Sequence, residues 1–458
     1  MTYDGLTYDE LYEKNRRYLW NPFTQMKEYL ADDPVIIESG NGSRLRDVKG
    51  NEYWDGVSSV WLNVHGHRVP ELDSAIRQQL DRIAHSTLLG MGSVPAILLA
   101  EKLIQIAPKG LGKVFYSDSG AEAVEIALKM AFQYWKNRGI EGKKTFVTMR
   151  EAYHGDTVGA VSVGSIDLFH QVYSPMLFPS IKVPFPNVYR NQYGNTVEDV
   201  MNGSLRTVEE VFQKQANEIA AMIVEPVQGA GGMVPMPPGY LRELRKLCST
   251  HNILLIVDEV ATGFGRTGKM FACEHDGITP DILTVAKGIT GGYLPLAATL
   301  TTDKIYDAFY ADYDEVKTLY HGHSYTGNQL GCAVALANLE LFERNNLISE
   351  VEQKTKDLQR FLDPIHSLAH VGDVRQSGFM VGIEMVEDRA TKQPYPWQRR
   401  MGVRVARRCR ELGMLLRPLT DVVVFMPPLS STREELQAMV SIIQQGIADV
   451  TEDSELVF

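Results

Sequence analysis

Short strand-like segments alternate with helix-like segments through the centre of this 458-residue chain. Two of them, Ile219–Val224 and Ile253–Val257, are aliphatic runs bounded by polar residues, as is typical of strands that are buried on both faces. The others are Lys113–Tyr116, Thr145–Met149 and Asp281–Val285, and helical spacing lies between several of the five. Because strands that alternate with helices favour a mostly parallel sheet covered on both sides, we predict an α/β fold.

The two ends of the chain show a different pattern. Residues 34–55 predict a short antiparallel meander, and the region after 340 predicts helices, a strand pair near 371–386 and a strand at 422–425. We therefore predict a large α/β domain over residues 70–335. Residues 1–69 and 336–458 are predicted to fold together into a smaller α+β domain.

Charge and hydropathy exclude several classes of protein. The chain has 46 Lys and Arg against 57 Asp and Glu, a net charge of −11, which argues against binding to nucleic acid or to an anionic membrane. Its aliphatic runs are far shorter than the roughly 20 residues of a membrane-spanning helix. The amino terminus is polar and acidic, without the apolar core of a signal peptide. These features predict a cytoplasmic enzyme.

The segment Gly263–Met270 matches two nucleotide-binding patterns by spacing. As GxGxxG it should open a long helix, but Gly277 and Pro280 leave little room for one. As a P-loop it should end in Ser or Thr, where Met270 stands. A P-loop ATPase is therefore the weakest alternative, and we interpret the segment as a tight turn that presents Arg266.

Two His-x-His triplets, His65–His67 and His321–His323, could suggest metal ligands. No HExxH motif accompanies them, and nothing in the sequence brings the two triplets together. We interpret both as polar loops and predict no catalytic metal.

Two short segments follow predicted strands, at the positions where open parallel sheets bind ligands. One is rich in small residues, and the other contains an aromatic residue. Ser117–Ala121 precedes a long helix, and its small residues suit either an anion at the helix start or a simple helix cap. Tyr153 lies in a glycine-containing loop, where it could stack on a planar ligand or simply be a surface residue.

Two charged residues end aliphatic strands. Asp258 follows Ile253–Val257, where a carboxylate needs a cationic partner, either a ligand or a residue such as Arg266. Val260, two positions on, could cover the face of a ring. Lys287 ends the next strand, and desolvation would lower its pKa as a Schiff-base lysine requires, although a lysine at a strand end can also extend to solvent. With the polar loop 321–328, these segments together describe a site for pyridoxal phosphate.

A long segment from Ile253 to Gly291 resembles the signature of the class III aminotransferases, which are fold-type I pyridoxal-phosphate enzymes. Within that family the chain is most similar to the 7,8-diaminononanoate synthases of biotin biosynthesis. The motifs that carry this narrower resemblance are Trp20–Met26, Ser58–Trp61 with His65-Gly66, Ser117–Gly120, Tyr153–Asp156, Leu416–Pro418 and Met426–Pro428.

The resemblance implies a fold-type I enzyme with a mostly parallel seven-stranded sheet, pyridoxal 5'-phosphate as cofactor and a site shared across a homodimer. Lys287 would bond to the cofactor aldehyde, Asp258 would hold the ring nitrogen protonated, and Tyr153 would lie on one ring face. The other implied roles are listed together: Val260 on the second ring face, Gly120 and Ala121 on the phosphate, His323 and Ser324 on the phosphate of the neighbouring subunit, and Phe23, Trp61, Tyr153, Gly322 and Arg417 along the substrate channel.

The implied reaction converts 8-amino-7-oxononanoate to 7,8-diaminononanoate by a ping-pong mechanism. The chain has Phe23, Val60-Trp61 and His323-Ser324 where the branch that uses adenosylmethionine is expected to have Tyr, a Trp pair and Pro-Thr. These differences favour lysine over S-adenosylmethionine as amino donor. An omega-amino-acid or diamine:pyruvate aminotransferase of the same family is the principal alternative.

Overall fold

The computed structural model describes residues 5–451, which form helices and strands in alternation. The strands in this range are β1 (Ile37–Asn41), β2 (Arg44–Asp47), β3 (Glu52–Asp55), β4 (Leu111–Ser117), β5 (Thr145–Met149), β6 (Ile181–Val183), β7 (Ile219–Val224), β8 (Val227–Gln228), β9 (Val234–Pro235), β10 (Leu254–Asp258), β11 (Ile282–Val285), β12 (Ala297–Thr302), β13 (Val371–Ser377), β14 (Met380–Met385), β15 (Met414–Leu415) and β16 (Val422–Phe425).

The helices that accompany these strands vary from single turns to 19 residues. They are α1 (Tyr8–Tyr18), α2 (Met26–Ala31), α3 (Ser58–Trp61), α4 (Pro70–Leu80), α5 (Val94–Ile106), α6 (Gly120–Asn137), α7 (Val158–Val163), α8 (Asp167–His170), α9 (Val197–Gln215), α10 (Tyr240–Thr250), α11 (Asp303–Tyr306), α12 (Gln329–Arg344), α13 (Leu347–Leu362), α14 (Met401–Glu411) and α15 (Arg433–Thr451). Short 3₁₀ helices cover Gln171–Met176, Ala272–Asp276, Lys287–Thr290, Tyr313–Glu315, Asp363–Ser367 and Trp397–Arg399. Within residues 5–451, no helix has the length and apolar character needed to cross a bilayer.

A seven-stranded sheet in the order β4-β12-β11-β10-β7-β5-β6 forms the centre of the molecule. Strand β12 is antiparallel to both neighbours, and the remaining pairings are parallel. All residues of β7 and β10 are buried, as their unbroken aliphatic sequences predict. The predicted, mostly parallel seven-stranded sheet is therefore confirmed.

The structure moves some predicted strand ends by one to three residues. Strand β10 is shifted by one position, from Ile253–Val257 to Leu254–Asp258, so Asp258 is the last residue of the strand and does not follow it. Strand β4 is longer than the predicted Lys113–Tyr116, because its pairing with β12 extends from Leu111 to Ser117.

A second sheet joins residues from the two ends of the chain. Its order is β1-β2-β3-β15, and β15 pairs in parallel with β3 through Met414 opposite Trp54. A third sheet, β13-β14-β16, contains the predicted strand pair near 371–386 and the strand at 422–425. The pairing of β15 with β3 agrees with the expectation that both chain ends fold together, while the domain boundaries at 70 and 335 stay a prediction.

Candidate active site

A cavity of about 800 Å³ lies at the carboxyl edge of the central sheet. Strands β4, β5, β7, β10 and β11 each deliver at least one polar or small residue to it from the loop that follows the strand. Seven predicted site residues line this cavity, namely Trp61, Gly120, Ala121, Tyr153, Asp258, Val260 and Lys287. The structure therefore brings together residues that are up to 226 positions apart in sequence, from Trp61 to Lys287.

Lys287 begins a 3₁₀ turn two residues after β11 and has a left-handed φ of +48°. Burial lowers the pKa of its ammonium to about 8, against the opposing effects of the Asp258 and Glu225 carboxylates. Its Nζ lies 4.5 Å from the centroid of the Trp61 ring. Desolvation therefore outweighs two neighbouring acids, and far more of this amine is neutral near pH 7 than of an exposed lysine.

Asp258, the last residue of β10, is almost fully buried at the floor of the cavity. Its Oδ1 accepts hydrogen bonds from the Val260 amide at 3.0 Å and from Thr284 Oγ1 at 3.1 Å. Its Oδ2 lies 2.7 Å from His154 Nδ1. These three contacts fix the carboxylate and leave it capacity for one further donor, since an ionised carboxylate has about four lone-pair positions.

The predicted alternative that Asp258 pairs with Arg266 is wrong. Arg266 is not presented by its loop but is buried, and its Nη1 and Nη2 donate to the backbone carbonyls of Pro427 at 2.7 Å and Asn63 at 2.6 Å. The guanidinium is therefore held by two other parts of the chain and makes no hydrogen bond to Asp258.

Helix α6 begins at the cavity with Gly120 and Ala121 in its first turn. A Cβ atom on Gly120 would lie 2.6 Å from Val260 Cγ1, and one on Gly155 would lie 2.4 Å from Ala121 Cβ. Both glycines therefore permit close approach of the loops that frame the helix start. The helix dipole and the free amides of the first turn make this end of the cavity suitable for an anion.

Tyr153 forms one wall of the cavity. Its hydroxyl donates to Asp156 Oδ2 at 2.7 Å, and its backbone amide donates to Glu225 Oε1 at 3.0 Å. Burial, and then the hydrogen bond to Asp156, raise the pKa of the Tyr153 phenol, so the phenol stays neutral.

Phe23 and Arg417 lie outside the cavity, at the end of a chain of rings that leads from Tyr153. The rings of Tyr153 and Phe169 are 6.4 Å apart, and those of Phe169 and Phe23 are 5.3 Å apart. Arg417 Cζ lies 5.6 Å from the Phe23 centroid. The two predicted channel residues thus contact each other but do not line the cavity within this chain.

Gly322, His323 and Ser324 do not line the cavity, although His323 lies close to the start of α6. His323 Nε2 lies 3.7 Å from Glu122 Oε2, and the Ser324 carbonyl accepts a hydrogen bond from His85 Nε2 at 2.7 Å. Their predicted contact with the phosphate of a neighbouring subunit stays a prediction. The triplet His65–His67 lies elsewhere, with His67 Nε2 2.9 Å from Asp55 Oδ2.

Sequence reasoning missed Glu225, His154 and Phe169. Glu225 directly follows the buried strand β7, so the argument that identified Asp258 could have found it. Burial raises the pKa of its carboxyl to about 7. His154 belongs to a motif that was recognised, but no role was given to it. Phe169 lies on the short helix α8, and no sequence signal distinguishes it from a core residue.

Comparison with known proteins agrees with this geometry. The family model for class III aminotransferases matches residues 28–447. An adenosylmethionine-8-amino-7-oxononanoate aminotransferase from Anoxybacillus flavithermus is 61% identical over 445 residues, covering 97% of this chain and 98% of that protein. One from Aquifex aeolicus is 50% identical and covers 96% of this chain and 97% of its own length.

Solved structures give the same result. The adenosylmethionine-8-amino-7-oxononanoate aminotransferase of Methanocaldococcus jannaschii superposes with a TM-score of 0.91 at 48% identity, covering 96% of this chain and 99% of that one. An (S)-enantioselective omega-transaminase from Thermomicrobium roseum superposes with a TM-score of 0.94 at 33% identity, covering 97% and 99%. The fold and the family are those of a pyridoxal-phosphate-dependent aminotransferase. The chain belongs to the class III aminotransferases, and the P-loop ATPase alternative is wrong.

Proposed function

We propose that the cavity binds pyridoxal 5'-phosphate and that Lys287 is the residue that bonds to it. The single observation that carries this proposal is the buried, partly neutral amine of Lys287 in one cavity with the Asp258 carboxylate. The residues present fit each part of the cofactor. The start of α6 suits the phosphate, Tyr153 and Val260 suit the two ring faces, and the free capacity of Asp258 suits a protonated ring nitrogen.

When bound, the cofactor supplies an aldehyde for the amino group and a ring that absorbs electrons. The chain supplies the remaining functions. The backbone amides of Gly120 and Ala121 bind the phosphate. Asp258 accepts a hydrogen bond from the protonated ring nitrogen, and His154 holds the Asp258 carboxylate in place. Lys287 Nζ, as a neutral amine, moves the proton at the amine-bearing carbon of the substrate. Trp61 covers this amine and limits access of water to it.

As acceptor we propose 8-amino-7-oxononanoate, which would become 7,8-diaminononanoate in biotin biosynthesis. Support comes from the names of the relatives that are 50% to 61% identical over nearly the whole chain. Arg417 lies where the ring chain ends, and its planar guanidinium suits the acceptor's terminal carboxylate. Its guanidinium also makes a cation–π contact with Phe23, the other proposed channel residue outside the cavity.

The amino donor is the open part of this proposal. Phe23, the pair Val60-Trp61 and the pair His323-Ser324 favour lysine, whereas the names of the relatives favour S-adenosylmethionine. Val60 is exposed and does not line the cavity, so its contribution to a donor channel requires another surface, which a second subunit of the proposed homodimer would provide. We retain lysine as the proposed donor.

A donor panel tests the proposed substrates. Purified protein is incubated with 8-amino-7-oxononanoate and either lysine or S-adenosylmethionine, and diaminononanoate is measured by mass spectrometry. We expect product with lysine. Product with S-adenosylmethionine alone would refute the donor, and no product with either would refute the acceptor.

An omega-amino-acid or diamine:pyruvate aminotransferase is the second candidate, because the Thermomicrobium roseum omega-transaminase superposes at a TM-score of 0.94. A parallel incubation with a diamine and pyruvate separates it from the first. Turnover there, combined with no diaminononanoate in the donor panel, would establish the second candidate. Borohydride reduction followed by peptide mapping tests the cofactor independently, with the label expected on the peptide that contains Lys287.

A further inference from the structure

The four residues of α3, beside the cavity, have left-handed backbone angles, so this element is a left-handed turn and not an α-helix. The φ angles of Ser58, Ser59, Val60 and Trp61 are +51°, +50°, +69° and +72°. Each is a residue with a Cβ atom, and Val60 is β-branched, so this turn is strained throughout. Such a conformation persists only where surrounding contacts hold it, and strain of this kind is concentrated at functional sites. The turn ends in the indole that covers Lys287.

Asp55 holds the first half of the turn. It is 1% exposed, its Oδ1 accepts the Ser59 amide at 2.8 Å, and its Oδ2 accepts Ser59 Oγ at 2.8 Å. The same Oδ2 lies 2.9 Å from His67 Nε2, which fixes the carboxylate from the opposite side. Ser58 Oγ donates to the Met426 carbonyl at 2.7 Å. The side chains of Asp55, Ser58 and Ser59, with His67 behind the carboxylate, thus fix the entry to the turn.

Arg266 holds the exit from the turn. The Asn63 amide closes on the Ser58 carbonyl at 3.1 Å, and the Asn63 carbonyl in turn accepts Arg266 Nη2 at 2.6 Å. Burial lowers the pKa of this guanidinium to about 9, and the Asp55 carboxylate opposes that shift. A charged group buried at such expense must make contacts that compensate for its desolvation, and here both are with backbone carbonyls.

The loop that carries Arg266 also reaches the lysine. Phe264 packs against Gly288, since a Cβ atom on Gly288 would lie 2.9 Å from Phe264 Cβ. The Gly263–Met270 segment is not a nucleotide-binding loop. It connects the left-handed turn, through Arg266, to Gly288, the residue after Lys287. Neither Asp55 nor Arg266 lines the cavity.

We infer that Asp55 and Arg266 are positioning residues that hold the strained turn and thereby keep Trp61 over the Lys287 amine. They act on the reaction through the indole and touch neither cofactor nor substrate. The inference rests on the proposed role of Lys287, but the position of Trp61 can be measured without the cofactor.

The test compares Asp55→Ala with Asp47→Ala. Asp47 is a matched control, because it is another buried carboxylate of the same four-stranded sheet and accepts hydrogen bonds from the Asn51 amide at 2.8 Å and Tyr53 Oη at 3.0 Å, away from the turn. Acrylamide quenching of Trp61 is obtained from the difference between each protein and its Trp61→Phe counterpart. We expect the quenching constant of Trp61 to be severalfold larger in Asp55→Ala than in the unmodified protein. In Asp47→Ala we expect it to be unchanged.

A second readout is the pH midpoint for covalent capture of pyridoxal phosphate by the full-length apo-protein. We expect it to rise by about one pH unit in Asp55→Ala, because water then reaches the amine, and to stay unchanged in Asp47→Ala. Equal effects of the two substitutions on both readouts would overturn the inference. Failure of the unmodified protein to capture the aldehyde at Lys287 would instead overturn the proposed function, and the quenching result would stand.

Ser59→Ala covers the case in which Asp55→Ala does not fold. It removes the hydrogen bond that Ser59 Oγ donates to Asp55 and leaves the carboxylate in place. We expect a smaller change in the same direction in both readouts. No change in either readout would contradict the positioning role.

Discussion

The pKa of Lys287 gives a direct test of the site in the absence of substrate. Burial lowers the pKa of its amine from 10.5 to about 8. At pH 7 about one amine in eleven is then neutral, compared with about one in 3,000 for an ordinary lysine, a difference of about 300-fold. Because only the neutral amine attacks an aldehyde, the rate of capture should rise tenfold per pH unit up to about 8 and then become constant.

The assay mixes full-length apo-protein with pyridoxal 5'-phosphate and follows visible absorbance from pH 6 to pH 10.5. The same absorbance change is measured with Lys287→Ala and subtracted, which removes the contribution of other lysines. The charged groups that act on this amine are Asp258, Glu225 and Arg266, and the first two favour its ammonium form. A rate that rises without a break through pH 10 would show that the amine is not desolvated and would refute the reasoning.

Further predictions concern the cofactor, the substrate and the core. Lys287→Ala should abolish turnover while still binding the cofactor non-covalently, as seen by absorbance after gel filtration; retained full activity contradicts the role. Arg417→Ala should raise the acceptor's KM by roughly 10- to 100-fold, the value of a charge-assisted hydrogen bond, with little change in the donor's KM; steady-state kinetics would expose equal effects. Gly120→Ala should weaken cofactor binding in a titration, and Val260→Ala should partly restore it, because the new Cβ would lie 2.6 Å from Val260 Cγ1. Phe212→Ala should lower the free energy of unfolding by about 3–5 kcal/mol in urea, since the ring is fully buried; a loss under 1 kcal/mol would contradict that packing.

Much of the fold could be predicted because strands of the central sheet that are buried on both faces have continuous aliphatic sequences. Strand β7 is aliphatic at every position and every residue of it is buried, so its bounds were predicted without error. Charged residues at the ends of aliphatic strands are equally easy to recognise. Asp258 and Lys287 were assigned to one site for this reason. Parallel topology brings strand ends to one edge, whatever their separation in sequence.

Contacts that depend on tertiary structure could not be predicted. The sequence contains no signal that Arg266 donates to the carbonyls of Asn63 and Pro427, because backbone acceptors are present at every position. The left-handed turn at Ser58–Trp61 was also missed, since its residues have no preference for positive φ. Both features depend on how distant segments pack, and residue type alone did not reveal them.

The charges around Lys287 show why the site has to be buried. Two carboxylates, Asp258 and Glu225, favour the ammonium form of this lysine and would raise its pKa if burial did not desolvate the amine. Yet the pKa falls to about 8, so desolvation is the stronger effect. Asp258 keeps three protein contacts, and Glu225 accepts the amides of Tyr153 and Gly229 at 3.0 Å and 3.1 Å. The acids are therefore held by their own donors and do not require the lysine as a partner. In the proposed role of Lys287, that independence leaves its amine available for the reaction, and Trp61 is the side chain proposed to keep water from it.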